Sequence, residues 1–401
     1  MSYWKCVGKK VLIGLFSLSL MVAPSLIQPQ KAIAESIAFY TWPSIPSGTI
    51  GIARPEIKLK MRFTGLTLID YAMNINGKQV PVKYDQVKEA FTFTPTSALA
   101  AGVHRVTLKV QFKGYDPKTY QWNFSVKQGA IAVLPAISSE QTAALKHINM
   151  IRMQAGLKEV KLNAKLNLIA AAHAKYQHLN GQITHIETRG KTGFIGATLS
   201  DRVAYFGYST DTVAEDISMQ PNTSLPASEA ISDLFDAPYH RIPFLNPDLT
   251  EVGYSQVGKF HVVLFGMGEK GSAPVVVASP AGTQVPASWD GNETPDPLRF
   301  HGRVNYPIGY PLIAGVYGKN IKRVVPISGS LVSSTGTVFT LLVNRSTTDT
   351  YLTNEVLYLP NSPLASGTKY KAKVTMKAYM NDGSTKLFTK AWTFQTAASA
   401  K

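Results

Sequence analysis

The sequence predicts a mixed α+β chain, with a central α-β-α sandwich flanked by two all-β sandwiches of immunoglobulin-like type. Three observations predict it. Residues alternate apolar and polar near both ends of the chain, helical period appears only in the middle, and two Gly/Pro/Ser-rich joints separate these regions.

Ahead of the first sandwich stands a leader. Lys5, Lys9 and Lys10 precede the apolar run "VLIGLFSLSLMVA", and Ala32 and Ala34 supply the small residues a signal peptidase reads. Residues 1–34 therefore read as a secretory signal, cut after Ala34. The single cysteine, Cys6, falls inside that segment, so the mature chain has no disulfide, thiol nucleophile or thiolate metal site. No later stretch is long and apolar enough for a transmembrane helix.

The first sandwich is expected over 37–128. "EIKLKMRF" alternates with Ile57, Leu59, Met61 and Phe63 on one face, and Asn76-Gly77 sits between two strand-like runs as a hairpin turn. "HRVTLKVQF" and "YQWNFSV" complete it. The last sandwich, 298–398, repeats this grammar. "SPLASGTKYKAKVTMKAYM" alternates through Tyr370, Ala372, Val374 and Met376, then "NDGS" turns into "AWTFQT".

Between them, 136–268 reads as helical around a small sheet. Ser138 and Gln141 form a capping box for a helix with Leu145, Ile148, Ile151 and Met153 on its apolar side, and Gly156 stops it. A second helix follows Asn163, with Leu166, Ile169, Ala170 and His173 on one face. A third runs from Pro226 to Asp236, with Ser224 as a candidate cap, and "GKFHVVLFGMG" reads as a buried strand. Residues 269–297 read as a linker.

The formal net charge of +16 is unevenly placed: residues 35–135 carry +6, 136–268 carry −1 and 269–401 carry +7. No aromatic-basic motif points to nucleic acid. Basic flanks suit an anionic cell-wall polymer, or a surface protein or lipid ligand, as much as ordinary solubility. Serine-hydrolase elbows and phosphate-cradling glycine loops are absent.

Four stretches of the centre, in order, resemble the CAP family of cysteine-rich secretory, antigen 5 and pathogenesis-related proteins in its short bacterial form. They are "LNLIAAAHAKYQHLNG", "ITHIE", "GFIGATLSDRVAYFGYSTDTVAEDIS" and "LFDAPYHRIPFLNPDLTEVGYS", spread over about 130 of the 401 residues. The tail "SPAGTQVPASWDGNETPDP" also resembles linkers that follow such domains in spore-forming bacteria.

The resemblance implies an open cleft with two histidines and two acids, which in some members hold a divalent metal such as zinc. His185, Glu215 and His240 match three of these positions. The second acid falls at Ala237, where none stands, with Asp236 next door; His173, Asp216 and Arg241 are further contributors. Two imidazoles and a carboxylate would leave one position open for water at zinc. Each residue also has a structural reading: His173 as a packed helix residue, His185 and Glu215 as partners of loop backbone, His240 as a partner of helix-end carbonyls, and Arg241 as a partner of Asp236 or Asp233.

The resemblance implies a secreted or wall-associated binding scaffold whose ligand the residues do not name. A metal-assisted hydrolase of wall peptides or esters, working through His185, Glu215 and His240, is the rival expectation.

Overall fold

The computed structural model describes residues 4–5, 38–210, 212–282, 284–302 and 304–398. The expected leader thus lies outside the described residues, except Trp4–Lys5, which pair with Thr212 and Val213. The chain is a mixed α and β protein, rich in sheet. It divides into two compact units. Among the described residues, one holds 38–134 with 200–209, and the other holds 4–5, 135–199 and those from 210 to 398.

The first unit has a five-stranded and a four-stranded sheet. Ile57–Thr64 buries Ile57, Leu59 and Met61 on one face, as alternation predicts. Asn76 and Gly77 both adopt positive φ between the strands Leu68–Ile75 and Lys78–Val80, which makes the expected tight hairpin. In the five-stranded sheet the short strand Gly48–Ile52 runs parallel to the long final strand Lys118–Ile131.

The second unit begins with helix α1, Ser139–Gln154, which carries the expected capping box and ends ahead of Gly156 at φ +72. Its apolar side differs from expectation. Met153 is exposed, while Arg152 is fully buried and donates to the carbonyl oxygens of Lys158, Phe244 and Asn246 at 2.7–2.9 Å. A buried guanidinium is tolerated because carbonyls surround it.

Helix α2, Ala164–Asn180, is capped by the Asn163 side chain and stopped by left-handed Gly181. The short helix α3, Leu199–Tyr205, belongs largely to the first unit, where a Cβ on Gly51 would lie 2.1 Å from the Tyr205 ring. Helix α4 spans Ala227–Asp236. Ser224 does not cap it: Pro226 is the cap residue, and the Glu140 carboxylate accepts from the N–H of Ala227 instead.

The central sheet has the order Thr212–Met219, Phe260–Met267, Leu249–Val257, Lys161–Leu162, with Trp4–Lys5 beyond the first of these. Helices α1 and α4 bury Ile148, Ile151, Ile231 and Leu234 against Val263 and Phe265 on one face. Helix α2 sits on the other face, so close that a Cβ on Gly253 would lie 2.3 Å from the Leu166 carbonyl carbon.

The C-terminal strands form a four-stranded sheet, a five-stranded sheet and a two-stranded pair. Tyr370, Ala372, Val374 and Met376 are buried on one face of Lys369–Met380, as alternation predicts. The short strand Gln284–Val285 runs parallel to the last strand Thr385–Thr396, repeating the arrangement of the first unit. The segment 269–297, expected as a linker, is structured throughout much of its length. Val275–Ser279 pairs with Leu312–Tyr317, and Ser288–Trp289 pairs with Ile308–Gly309. Tyr239, Ile242 and Leu245 share a core with Trp289, Ile313 and Leu357, so the central region and the C-terminal strands are packed together.

Candidate functional site

Glu215 and Asp216 are neighbours on the Thr212–Met219 strand, so they point to opposite faces of the central sheet. Glu215 faces α2. Its carboxylate lies 3.0 Å from His185 Nδ1 and 3.7 Å from His173 Nε2. His173 is fully buried, with Nδ1 2.9 Å from Glu187 Oε1 and Nε2 2.7 Å from the Thr184 carbonyl oxygen. Glu187 in turn accepts from the N–H of Ile195 at 2.8 Å. His185 is the accessible member, its side chain 24% exposed.

Asp216 faces the other side and is fully buried, and its carboxylate oxygens have no hydrogen-bond partner among the described residues. Burial pushes its carboxyl up to about 7, and the nearby His240 ring opposes that shift.

His240 stands in the bend after α4 and bonds to a residue that sequence reasoning missed. Glu293 Oε1 lies 2.7 Å from His240 Nδ1 and accepts from the N–H groups of His240 at 2.9 Å and Tyr239 at 2.8 Å. Burial alone would lower the His240 ring. The Glu293 hydrogen bond and the Asp216 carboxylate outweigh it, and the net direction is upward. The only sequence signal for Glu293 was its place as an acid among turn residues of "DGNETPDP".

The rest of the bend is fixed by the C-terminal strands. Arg241 is fully buried and donates to the carbonyl oxygens of Phe235 and Pro311 at 2.7 Å and of Asp236 at 3.0 Å. It therefore meets the main chain of Asp236, and the Asp236 carboxylate accepts from the Tyr310 hydroxyl. The Tyr239 hydroxyl donates to Asp349 and accepts from Arg299 at 2.8 Å.

The structure thus brings His173, His185 and Glu215 together and pairs His240 with Glu293. Both His173 nitrogens face oxygen acceptors, and the Nδ1 atoms of His185 and His240 each face a carboxylate. As placed, both His173 nitrogens are occupied, while a carboxylate on Nδ1 of His185 and of His240 is the arrangement that orients a ring for a ligand at Nε2.

One family model matches part of this region, from within α1 to just past the end of the Leu249–Val257 strand. Residues 145–259 match the CAP, cysteine-rich secretory protein family. The CAP match thus spans α2, Glu215 and His240, and it stops short of Glu293. No curated protein matches the chain.

Among solved structures, an outer surface protein of Borrelia burgdorferi shares 18% identity, with 34% of this chain and 97% of that one covered at a TM-score of 0.28. An extracellular SCP-domain protein of Bacillus anthracis shares 12%, over 58% and 86% of the two chains, also at 0.28. A cysteine-rich secretory protein of Staphylococcus aureus shares 10%, over 57% and 83%, at 0.24. At these scores the likeness carries no functional argument. No helix among the described residues is long and apolar enough to cross a membrane.

Proposed function

We propose that this chain is a secreted or wall-associated binding scaffold that holds an anionic wall polymer, such as a polyol phosphate, on its C-terminal module. One observation carries the reading. Lys369, Lys371 and Lys373 are exposed on one strand, with the half-buried Lys377 further along it. The first three succeed one another at two-residue steps, about 7 Å apart, on the outer face of the five-stranded sheet. Their cross-strand neighbours are Gln395, Thr393, Ala391 and Leu387 on one side, and Val332, Ser330 and Val325 on the other.

No carboxylate stands opposite any of these lysines, so their charge is unopposed on that face. At one end of the row a groove of about 820 Å³ is lined by Gln284, Ser334, Lys369, Lys371, Thr393 and Gln395, together with the apolar faces of Val332, Tyr370 and Phe394. Amides, hydroxyls and ammonium groups suit a polyanion with hydroxyls along its backbone.

Binding is favoured over turnover by the state of the histidines. His173, His185 and His240 are each bonded to a carboxylate, and among the described residues neither His173 nor His240 bonds a serine, threonine or tyrosine hydroxyl that could serve as nucleophile. His147 does bond Ser232 at 2.8 Å, linking α1 to α4, but among the described residues no carboxylate orients that ring.

The test is retention of residues 35–401 on immobilised inorganic polyphosphate. Three to four lysines releasing counterions predict a loss on the order of 10²-fold in affinity from about 50 to about 200 mM salt. A variant with Lys369, Lys371, Lys373 and Lys377 changed to Gln is expected to elute near the void. Retention indifferent to salt, or unchanged in that variant, contradicts the reading.

A further inference from the structure

The Glu293 carboxylate occupies a seat with three donors, the N–H of Tyr239, the N–H of His240 and the His240 ring. Its side chain is fully buried, whereas the His240 side chain keeps 13% exposure. The bend itself offers the ring no acid. Position 237 is alanine, and the Asp236 carboxylate is engaged by Tyr310. Asp216 has no hydrogen-bond partner among the described residues, so it acts on the ring through charge alone.

We propose that Glu293 is a positioning residue for His240: it holds the ring with a proton on Nδ1 and leaves the Nε2 edge to whatever the cleft receives. A histidine whose one nitrogen donates to a carboxylate is fixed in both tautomer and orientation. The two main-chain N–H groups fix the carboxylate in turn, so neither partner swings independently. Glu293 stands 53 residues from His240 in the sequence and outside the CAP match. The geometry of the candidate cleft is therefore set from the C-terminal module, and a CAP segment cut free of it would present a different His240. This inference is independent of the lysine row.

The test is the ring state of His240 in the ¹⁵N-labelled 35–401 chain, read from long-range proton–nitrogen spectra at one fixed pH. The His240 signals are assigned by their loss in His240→Gln. The wild type is expected to carry its proton on Nδ1. Glu293→Gln keeps a carbonyl that accepts from Nδ1 and is expected to retain that signal, while Glu293→Ala loses it. Unchanged His173 and His185 signals report that each variant is folded. An Nδ1 without a proton in the wild type overturns the proposal, whether or not Glu293→Ala folds. So does an Ala variant that keeps the Nδ1 proton, or a Gln variant that loses it as fully as Ala.

Discussion

Tyr310 donates its hydroxyl to the Asp236 carboxylate across 2.6 Å, and that bond joins the last residue of α4 to the C-terminal strands. Beside it, Arg241 donates to the Pro311 carbonyl oxygen and stacks over the Tyr310 ring at 4.7 Å. The bend that stops α4 is also the joint on which the C-terminal module is seated.

Arg241→Lys is expected to destabilise the chain by about 3 kcal/mol. An ammonium cannot reach three carbonyls with the fork geometry of a guanidinium, and buried carbonyls left unpaired keep their full desolvation cost. Tyr310→Phe is expected to cost less, about 1–2 kcal/mol, through the single donor withdrawn from Asp236. Urea unfolding of both variants checks the order. A larger loss for Tyr310→Phe contradicts this account of the joint.

Gly253→Ala tests how α2 is held on the sheet. The added methyl would meet the Leu166 carbonyl carbon at 2.3 Å and the Asn167 amide nitrogen at 2.6 Å, and main-chain atoms cannot step aside as a side chain does. A loss of about 3 kcal/mol is expected, with disturbed His173 signals because that ring rides on α2. A neutral substitution would mean the helix sits further from the sheet.

His261 sets a pH dependence of known sign. It is buried in the Phe260–Met267 strand, where its Nδ1 lies 2.9 Å from the Tyr254 hydroxyl, and burial lowers the ring to about 4. The unfolded chain therefore binds this proton more readily than the folded one between about 4 and the ordinary histidine value near 6.5. The ring's contribution is present above about 6.5 and is lost as pH falls towards 4. The stability of wild type relative to His261→Gln should rise with pH by on the order of 2 kcal/mol across that window, then level off. A difference that stays flat across it contradicts the assignment.

Much of the fold was legible because it follows from local chemistry. The Ser138–Gln141 box, the Asn163 cap, the Asn76-Gly77 hairpin and the alternation of Tyr370 to Met376 each act over a few residues. What was not legible depends on distant partners. Val275–Ser279 has no period to announce it and is a strand because Leu312–Tyr317 lies beside it. Arg152 reads as a surface residue until the carbonyls that surround it are known.

In the candidate site, the stretches carrying His173, His185, Glu215 and His240 could be picked out in the sequence, but their pairing could not. The acid at His240 was sought beside Ala237, and it is Glu293 that reaches the ring. Alternation along the strand could have warned that Glu215 and Asp216 serve opposite faces.

The measurement that tests the joint most directly is native-state hydrogen exchange across the 35–401 chain in increasing denaturant. If the bend from Asp236 to Arg241 bolts the two parts together, the best-protected amides of α2 and of the Lys369–Met380 strand open with one shared free energy. Amides of α2 that open at a clearly lower free energy, while the C-terminal sheet stays closed, would show two independent domains and contradict the account.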